Sequence, residues 1–318
     1  MSKIKYICVQ PRLLYYAWQV EVMLNNFLNN NISPYDIDVL VAWNPNDDTN
    51  NIHNVIPWFK LKEKYKNVNI IFYKDTRNNP QYISSIRPNI LKQHFLNHPE
   101  LKDKVIFYHD CDILFTKPIN FSCFTNDDIW YLSNTNSYIN YNYIISKGKN
   151  IYDKMCDIIG INPLIPKLMN PNSGGAQYIM KNVDYKFWEK VENDSEELFK
   201  QITEINKINK IKDPNYHELQ IWCADMWAIL WNAWLKGNET KVVPELDFCW
   251  ATDNIKRWNE VSIFHNAGVT PERKDLFFKG DFINYLPYNV ENIFSSEYCS
   301  YNYFQEILKT KQTSCLII

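Results

Sequence analysis

Glycine is scarce in this chain, with seven residues among 318. The two common phosphate-binding loops, G-x-G-x-x-G and G-x-x-x-x-G-K-S/T, place glycines at fixed spacings, and neither pattern occurs. The sequence therefore argues against a Rossmann dehydrogenase and against a P-loop NTPase.

The cysteines are scattered and lack the spacing of a metal site. There are eight, and no two of them form a C-x-x-C motif. A structural zinc site is therefore not expected. Scattered single cysteines in a chain of this size are typical of a reducing compartment, so we predict a cytoplasmic protein.

The chain also lacks an excess of positive charge and long apolar runs. Its net charge is −2, so no basic field indicates a nucleic-acid partner. We find no signal-peptide pattern and no apolar run long enough for a transmembrane helix. A globular protein with a large core is the class that remains.

Strand and helix patterns alternate over the first half of the chain. Strand patterns lie at 4–9, 38–43, 68–73 and 105–108, with amphipathic helix patterns at 13–28, 57–66 and 88–97 between them. This alternation predicts an α/β fold, with a mostly parallel central sheet and helices on both faces. Further along, long helix patterns lie at 184–205 and 217–236. We predict one domain over 1–285 and a helical or irregular C-terminal tail over 286–318.

Two aspartates, Asp110 and Asp112, follow the apolar strand pattern at 105–108. Open α/β sheets bind ligands at the carboxyl ends of their strands. In extended backbone, residues two apart point the same way, so both carboxylates should face one site. Two anions that close repel each other, which predicts a divalent cation that would also neutralise a diphosphate. A second Asp-x-Asp, at 36–38, precedes its strand, and we interpret it as the solvated start of that strand.

A later strand pattern, at 261–265, ends in His265, and Gly268 follows three residues on. A neutral imidazole can complete a metal site that two carboxylates begin, so His265 is the best candidate among the six histidines. The alternative is a histidine that caps the strand through a hydrogen bond. His109 alternates to the opposite face of its strand, so we predict that it lies in the core.

The only Gly-Gly pair in the chain follows Asn172 and Ser173. Glycine lets the backbone approach a sugar closely, and the side chains of Asn172, Ser173 and Gln177 offer groups that match sugar hydroxyls. The alternative is an ordinary tight turn.

Asp225 and Arg87 are the remaining candidates. Asp225 interrupts the apolar helix pattern at 217–236. Its neighbours in that pattern, Trp222 and Met226, are predicted to lie in the core. A carboxylate in such a helix is costly to bury without a partner or a function. Arg87 lies at the start of a predicted helix, where it could hold a phosphate, and the alternative is a surface arginine.

Taken in order, these motifs resemble the GT-A glycosyltransferases, and more narrowly glycosyltransferase family 8, the glycogenin and lipopolysaccharide galactosyltransferase group. The motifs are D-x-D at 110–112, N-x-G at 172–174, the acidic helix with Asp225, and H-x-x-G at 265–268. The similarity covers roughly residues 4–280. It implies a Rossmann-like GT-A fold and the transfer of a sugar from a UDP-sugar to an acceptor, with retention of configuration.

The resemblance also implies roles for particular residues. Asp110, Asp112 and His265 would bind Mn²⁺ or Mg²⁺, and Asp110 would also reach the ribose. The candidates for catalysis are Asp225, Gln177 and Glu218. The candidates for donor binding are Gln10, Asp75, Arg87, Asp110, Asn172, Ser173, Gly174, Gly268 and Lys279. The Lys-Pro-Trp that usually follows H-x-x-G is absent, which leaves Arg273, Lys274 or Lys279 as the phosphate contact.

Other functions stay open at this point. A haloacid-dehalogenase-type phosphatase also uses D-x-D, but on its first strand. A metal-dependent nucleotidyltransferase shares the donor chemistry. A carbohydrate-binding protein without catalysis fits the 15% aromatic content but leaves the acidic pair unexplained. The acceptor, whether glycan, protein or lipid, is not specified by any motif.

The last four residues, Cys315 to Ile318, match the C-a-a-X prenylation pattern. A lipid anchor at Cys315 would place the protein at a membrane. The basic residues upstream are only Lys309 and Lys311, and one lipid alone anchors weakly. The alternative is that these residues pack on the domain.

Overall fold

The computed structural model describes residues 4–291 and 293–317, and these form ten strands and eleven helices. The strands are β1 (Ile4–Pro11), β2 (Ile37–Trp43), β3 (Asn69–Lys74), β4 (Val105–Tyr108), β5 (Ile113–Phe115), β6 (Trp130–Asn134), β7 (Gly174–Met180), β8 (Thr240–Val242), β9 (Phe248–Trp250) and β10 (Ile263–His265). The helices are α1 (Leu14–Asn29), α2 (Ile52–Lys64), α3 (Ile86–Asn97), α4 (Asn136–Ile139), α5 (Tyr141–Lys147), α6 (Lys149–Ile159), α7 (Leu164–Leu168), α8 (Tyr185–Lys212), α9 (Ala224–Leu235), α10 (Lys256–Glu260) and α11 (Cys299–Lys311).

Seven strands form a central sheet in the order β3-β2-β1-β4-β7-β6-β8, and a second sheet has the order β5-β10-β9. In the central sheet, β2 pairs in parallel with both β1 and β3, and β6 pairs in parallel with β8. The pair β6–β7 is antiparallel. A mostly parallel central sheet flanked by helices confirms the predicted α/β class.

The strands of this sheet are apolar because parallel strands are covered on both faces. In β2, for example, Val39, Leu40 and Val41 are all fully buried although they alternate between the two faces. The same property made these strands recognisable in the sequence as continuous apolar runs.

The chain forms two compact units, and each is built from separated segments. The first unit contains Asp75–Phe107 and Ser122–Val243. Its core includes the fully buried rings of Trp188 and Trp227, from α8 and α9. The indole N–H of Trp227 donates to the backbone carbonyl of Ile139 at 2.8 Å.

The second unit contains the described residues of the segments Lys3–Lys74, Tyr108–Phe121 and Pro244–Ile318. Helix α1 packs against α2 and α11 in this unit. The α11 residues Tyr303 and Phe304 contact the ring of Phe277, which also meets Trp18 of α1 edge to face. Aromatic packing thus makes a regular helix of residues 299–311, in the tail for which the sequence left helical and irregular structure open.

The helix predicted over 217–236 begins later than expected. A 3-10 turn at Ile221–Cys223 precedes α9, which starts at Ala224. The side chain of Asn206 bonds both backbone groups of Leu219, at 3.0 Å and 3.2 Å, so those groups are satisfied outside a helix. Glu218 therefore lies in an exposed loop, which corrects its predicted position on the helix.

Among the described residues, none of the helices combines the length and the apolar character needed to span a bilayer.

Candidate metal site and donor-binding residues

Asp110 and Asp112 lie in the loop that joins β4 to β5 in the sequence. The first strand ends at Tyr108 and the second begins at Ile113, and Asp112 occupies a turn. The sequence predicted that residues 110–112 are extended, so that both carboxylates point the same way. That prediction of the backbone geometry was therefore wrong. The turn is held in place because the carbonyl of Asp112 accepts a hydrogen bond from the N–H of Asn266 at 3.0 Å.

The antiparallel pairing of β5 with β10 brings His265 beside the two aspartates. Its register places His265 opposite Ile113, the residue that follows Asp112. The Nε2 atom of His265 lies 3.4 Å from Asp112 Oδ1 and 3.6 Å from Asp110 Oδ2. One ligand atom from each of the three side chains lies within 4.8 Å of the others, and we call these residues the candidate metal site.

The candidate metal site is buried on one side and open on the other. Asp112 and His265 are 6% and 8% exposed, whereas the side chain of Asp110 keeps 30% of its exposure. The indole of Trp250 stacks on the His265 ring, with centroids 5.5 Å apart and planes 22° apart. This contact follows from the pairing of Trp250 with His265 between β9 and β10, and it helps to orient the imidazole. No pattern in the sequence indicated this position of Trp250.

Lys279 forms an ion pair with Asp112 Oδ2. Burial by itself raises the pKa of the Asp112 carboxyl, but the ammonium of Lys279, together with the neighbouring His265, outweighs burial and holds that pKa well below its usual range. Burial lowers the pKa of Lys279, and the attraction of Asp112 outweighs it, so the net shift is upward. Both groups are therefore charged at neutral pH.

The three basic candidates for a phosphate contact differ in position. Lys279 reaches Asp112, whereas Arg273 pairs with Asp275 at 2.9 Å and lies over the ring of Tyr298. Lys274 is exposed. The structure thus associates only Lys279, of these three, with the candidate metal site.

Two carboxylates and an imidazole suit a divalent ion such as Mn²⁺ or Mg²⁺, because hard cations prefer carboxylate oxygen and Mn²⁺ tolerates an imidazole nitrogen. The donor set in the structure therefore fits the ion that the resemblance implies. Held this close, the carboxylates would otherwise repel each other, and Lys279 supplies part of the compensating charge.

Gly268 and Gln10 belong to the same unit as the candidate metal site. The backbone of Gly268 has φ of +88°, a left-handed conformation that favours glycine. Gln10 is 1% exposed near the carboxyl end of β1, and its Nε2 donates to the carbonyl of Leu40 at 2.9 Å. Its Oε1 has no hydrogen-bond partner among the described residues. A buried amide oxygen in this state is available to accept a hydrogen bond.

The first unit brings Asp225 and Arg87 together. Asp225 lies in the first turn of α9 and is 3% exposed. Arg87 Nη2 lies 2.6 Å from Asp225 Oδ2, and the hydroxyl of Tyr82 donates to Asp225 Oδ1 at 2.6 Å. The buried carboxylate thus has a charged partner and a neutral one. Sequence reasoning did not identify Tyr82, because nothing in its local pattern distinguishes it from a core tyrosine.

The Gly-Gly segment lies mainly in a strand. Gly174 begins β7, and a Cβ atom there would lie 2.6 Å from the carbonyl oxygen of Ser133 and 2.6 Å from Leu132 Cβ. The glycine is therefore needed for the close approach of β7 to β6. Ser173 and Gln177 are buried, and Gln177 Oε1 accepts a hydrogen bond from the Ser133 hydroxyl at 2.6 Å.

Asn172 and Asp75 both have hydrogen-bond partners within the first unit. The carbonyl of Asn172 accepts a hydrogen bond from the Thr240 hydroxyl at 3.2 Å. Asp75 accepts two hydrogen bonds from Arg77, with Nε 3.0 Å from Oδ1 and Nη2 2.9 Å from Oδ2. Both residues lie in the first unit, as Glu218 does.

Two further interpretations of the sequence were also wrong. Trp222 was predicted to be core but is 57% exposed, and its ring stacks on Tyr138 with centroids 6.1 Å apart. The Asp-x-Asp at 36–38 was interpreted as solvated. Asp38 is 3% exposed, pairs with Lys5 at 2.9 Å and accepts a hydrogen bond from Asn69 at 2.7 Å.

The described part of the C-terminal tail is held against α1. The backbone N–H of Cys315 donates to Glu21 Oε1 at 3.0 Å, and Leu316 is 5% exposed. Ile318, the last residue of the C-a-a-X pattern, lies outside the described residues.

Comparison with known proteins gives remote likenesses of fold only. No protein-family model and no curated protein sequence matches this chain. Among solved structures, the chain is similar to the bifunctional glycosyltransferase WbbM, with 10% identity and a TM-score of 0.47 over 96% of this chain and 50% of WbbM. It is also similar to the glycosyltransferase GlyE of Streptococcus pneumoniae TIGR4, with 8% identity and a TM-score of 0.43 over 99% of this chain and 62% of GlyE.

A third similar structure is mouse xyloside xylosyltransferase 1, with 10% identity and a TM-score of 0.40 over 84% of this chain and 99% of that protein. These three structural neighbours are all glycosyltransferases. The chain spans about half the length of WbbM and less than two thirds of GlyE.

Proposed function

We propose that the protein is a metal-dependent glycosyltransferase that transfers a sugar from a UDP-sugar to an acceptor, with retention of configuration. The observation that carries this proposal is the convergence of Asp110, Asp112 and His265 within 4.8 Å. The D-x-D pair and the H-x-x-G histidine lie far apart in the sequence, and the β5–β10 pairing brings them together. The same residues are the ones that the resemblance to family 8 assigns to a metal.

In this proposal Asp110, Asp112 and His265 hold Mn²⁺ or Mg²⁺. The bound ion would supply Lewis-acid stabilisation of the negative charge that develops on the diphosphate leaving group. Lys279 is proposed as a contact of the diphosphate, because its ammonium already lies at Asp112. Gln10 and Gly268, from the same unit, are proposed as further donor contacts, with the unpartnered Gln10 Oε1 as a hydrogen-bond acceptor.

For the sugar we propose Asp225, whose orientation is set by Arg87 and Tyr82. Burying a carboxylate is costly without such partners, and a carboxylate in a fixed position can bind sugar hydroxyls or stabilise positive charge on a reacting sugar. Gln177 and Glu218 are the other proposed catalytic residues. The remaining donor contacts that we propose are Asp75, Asn172, Ser173 and Gly174.

The experiment that tests this function is a screen of nucleotide-sugars for hydrolysis without an acceptor. With Mn²⁺ present, we expect one UDP-sugar to release UDP and free sugar, and we expect EDTA to stop the release. A nucleotidyltransferase would instead cleave the diphosphate and release UMP and sugar 1-phosphate. A binding protein would bind without turnover. Failure of every nucleotide-sugar to turn over, together with calorimetry that finds no metal-dependent nucleotide binding, would contradict the proposal.

A substitution of Lys279 can separate its two proposed effects, which are competition with the metal ion for Asp112 and contact with the diphosphate. In the free protein its charge competes with a metal ion for Asp112, so Lys279→Ala should raise the affinity for Mn²⁺ measured without nucleotide by about tenfold, or about 1.4 kcal/mol. With Mn²⁺ saturating, the same variant should bind UDP at least about tenfold more weakly, because a phosphate contact is lost. Calorimetry measures both constants.

The matched control is Lys274→Ala, since Lys274 is an exposed lysine close by in the sequence. We expect neither affinity to change in that variant. If Lys279→Ala leaves UDP binding intact, Lys279 is not the phosphate contact. A lower Mn²⁺ affinity in Lys279→Ala would contradict the proposal that Lys279 competes with the metal ion for Asp112.

A further inference from the structure

Helix α2 exposes three large apolar side chains along one stripe. Ile52, Ile56 and Phe59 are 60%, 46% and 54% exposed, and their spacing of four and three residues places them on one face. The opposite face buries Trp58 and Leu61 completely. The buried face accounts for the packing of α2 within the second unit, whereas the exposed stripe lies on the solvent side of the helix.

Lysines border this stripe. A shallow depression of about 660 Å³ on the same surface is lined by Ile56, Phe59, Lys60, Lys62, Glu63 and Lys66. Three lysines and one glutamate give this small area a positive charge, whereas the whole chain carries −2. We call Ile52, Ile56, Phe59, Lys60, Lys62 and Lys66 the α2 patch.

Phe59 is held in its exposed position by a neighbour. Its ring stacks on Phe72 of β3, with centroids 5.3 Å apart and planes 21° apart. The ammonium of Lys62 lies 5.5 Å from the Phe72 centroid. The apolar rings and the lysine therefore form one ordered surface. Lys64 differs from the other lysines, because it turns to Glu21 and to the carbonyl of Thr313 and is excluded from the patch.

We propose that the α2 patch binds the surface of a membrane that contains anionic lipid. An amphipathic helix of this kind lies in the plane of the interface, with its apolar residues among the acyl chains and its lysines at the headgroup phosphates. Each lysine near such a surface adds to the electrostatic attraction, and the apolar stripe adds the burial of three side chains. The charge of the patch is complementary to the anionic headgroups. This proposal is independent of the proposed glycosyltransferase activity.

The end of α8 offers a natural comparison. Ile208 and Ile211 are 49% and 83% exposed there, and Lys207 and Lys210 lie beside them. This site has only two apolar residues and no aromatic one, and Lys207 pairs with Glu204 at 2.7 Å. The end of α8 therefore has exposed isoleucines beside lysines, as the α2 patch does, but fewer apolar side chains and a lysine that is already paired. It serves as a matched control for the α2 patch.

The test is sedimentation of the full chain with vesicles of phosphatidylcholine, alone or with about 30% phosphatidylserine. The protein is produced in bacteria, so that prenylation of Cys315 does not contribute. We expect binding only to the anionic vesicles and its loss in high salt, where surface charges are screened. Ile56→Ser/Phe59→Ser and Lys60→Gln/Lys62→Gln/Lys66→Gln should each reduce the bound fraction at least about tenfold.

The control variant Ile208→Ser/Ile211→Ser should bind like the wild-type protein. All these positions are at the surface, so melting temperatures should stay close to wild type and identify any variant that misfolds. The proposal is overturned if the wild-type chain ignores anionic vesicles, or if the α8 variant loses binding and the α2 variants keep it. It is also overturned if light scattering shows a dimer that Ile56→Ser/Phe59→Ser dissociates and no vesicle binding, since a second copy would then cover the patch.

Discussion

Asp112→Asn is expected to weaken metal-dependent nucleotide binding by at least about 100-fold, since removing even an indirect partner of a metal ligand costs 10- to 100-fold. Asp112 is the buried member of the acidic pair and faces both His265 and Lys279. The substitution keeps the shape of the side chain and removes its charge. Calorimetric titration of UDP in the presence and absence of Mn²⁺ measures the effect, and His265→Ala should behave in the same way.

Asp36→Asn is the matched control, because Asp36 belongs to the second Asp-x-Asp of the chain and lies outside the candidate metal site. We expect it to bind UDP and Mn²⁺ as the wild-type protein does. Melting curves establish that both variants are folded. Unchanged Mn²⁺-dependent affinity in a folded Asp112→Asn variant would remove the basis of the proposed function.

Glu21→Ala is expected to cause the largest loss of stability, about 3–5 kcal/mol in the free energy of unfolding. The Glu21 carboxylate is fully buried and accepts hydrogen bonds from four groups. Lys64 Nζ and the N–H of Cys315 donate to Oε1, each at 3.0 Å, and the hydroxyls of Tyr288 and Ser314 donate to Oε2, each at 2.6 Å. Truncation would leave a lysine charge, the buried Tyr288 hydroxyl and two half-buried donors without their acceptor.

Urea unfolding of Glu21→Ala beside Glu204→Ala measures this effect. Glu204 is an exposed residue of α8 that pairs with Lys207, and its removal should change the free energy of unfolding by less than about 1 kcal/mol. Equal stabilities for the two variants would show that the buried carboxylate contributes no more than a surface ion pair.

Much of the fold was predictable from local pattern. The strands of residues 4–11 and 37–43 contain the apolar runs 6–9 and 39–43, because parallel strands are buried on both faces. Local pattern failed where side chains from distant segments decide the conformation. Asn206 holds Leu219 outside a helix, and the packing of Tyr303 and Phe304 on Phe277 stabilises a helix in the C-terminal tail.

The candidate site likewise combines features that the sequence predicts with features that only tertiary contacts decide. The residue types of Asp110, Asp112 and His265 indicated a metal site, because carboxylates at strand ends and an imidazole are chemically suited to one. Their convergence depends on β5 pairing with β10, and no local pattern encodes a pairing between segments so far apart in the sequence. The pairing of Arg87 and Tyr82 with Asp225 is likewise a tertiary contact.

The sequence by itself thus determined the α/β class and the residue types available for chemistry, because apolar periodicity and side-chain chemistry are local properties. Only the tertiary structure decided which of those residues meet. It placed Lys279 rather than Arg273 or Lys274 at Asp112, and it exposed Trp222, which its helical pattern had assigned to the core. A side chain's surroundings are set by whatever packs against it, and those neighbours come from segments that a local pattern does not contain.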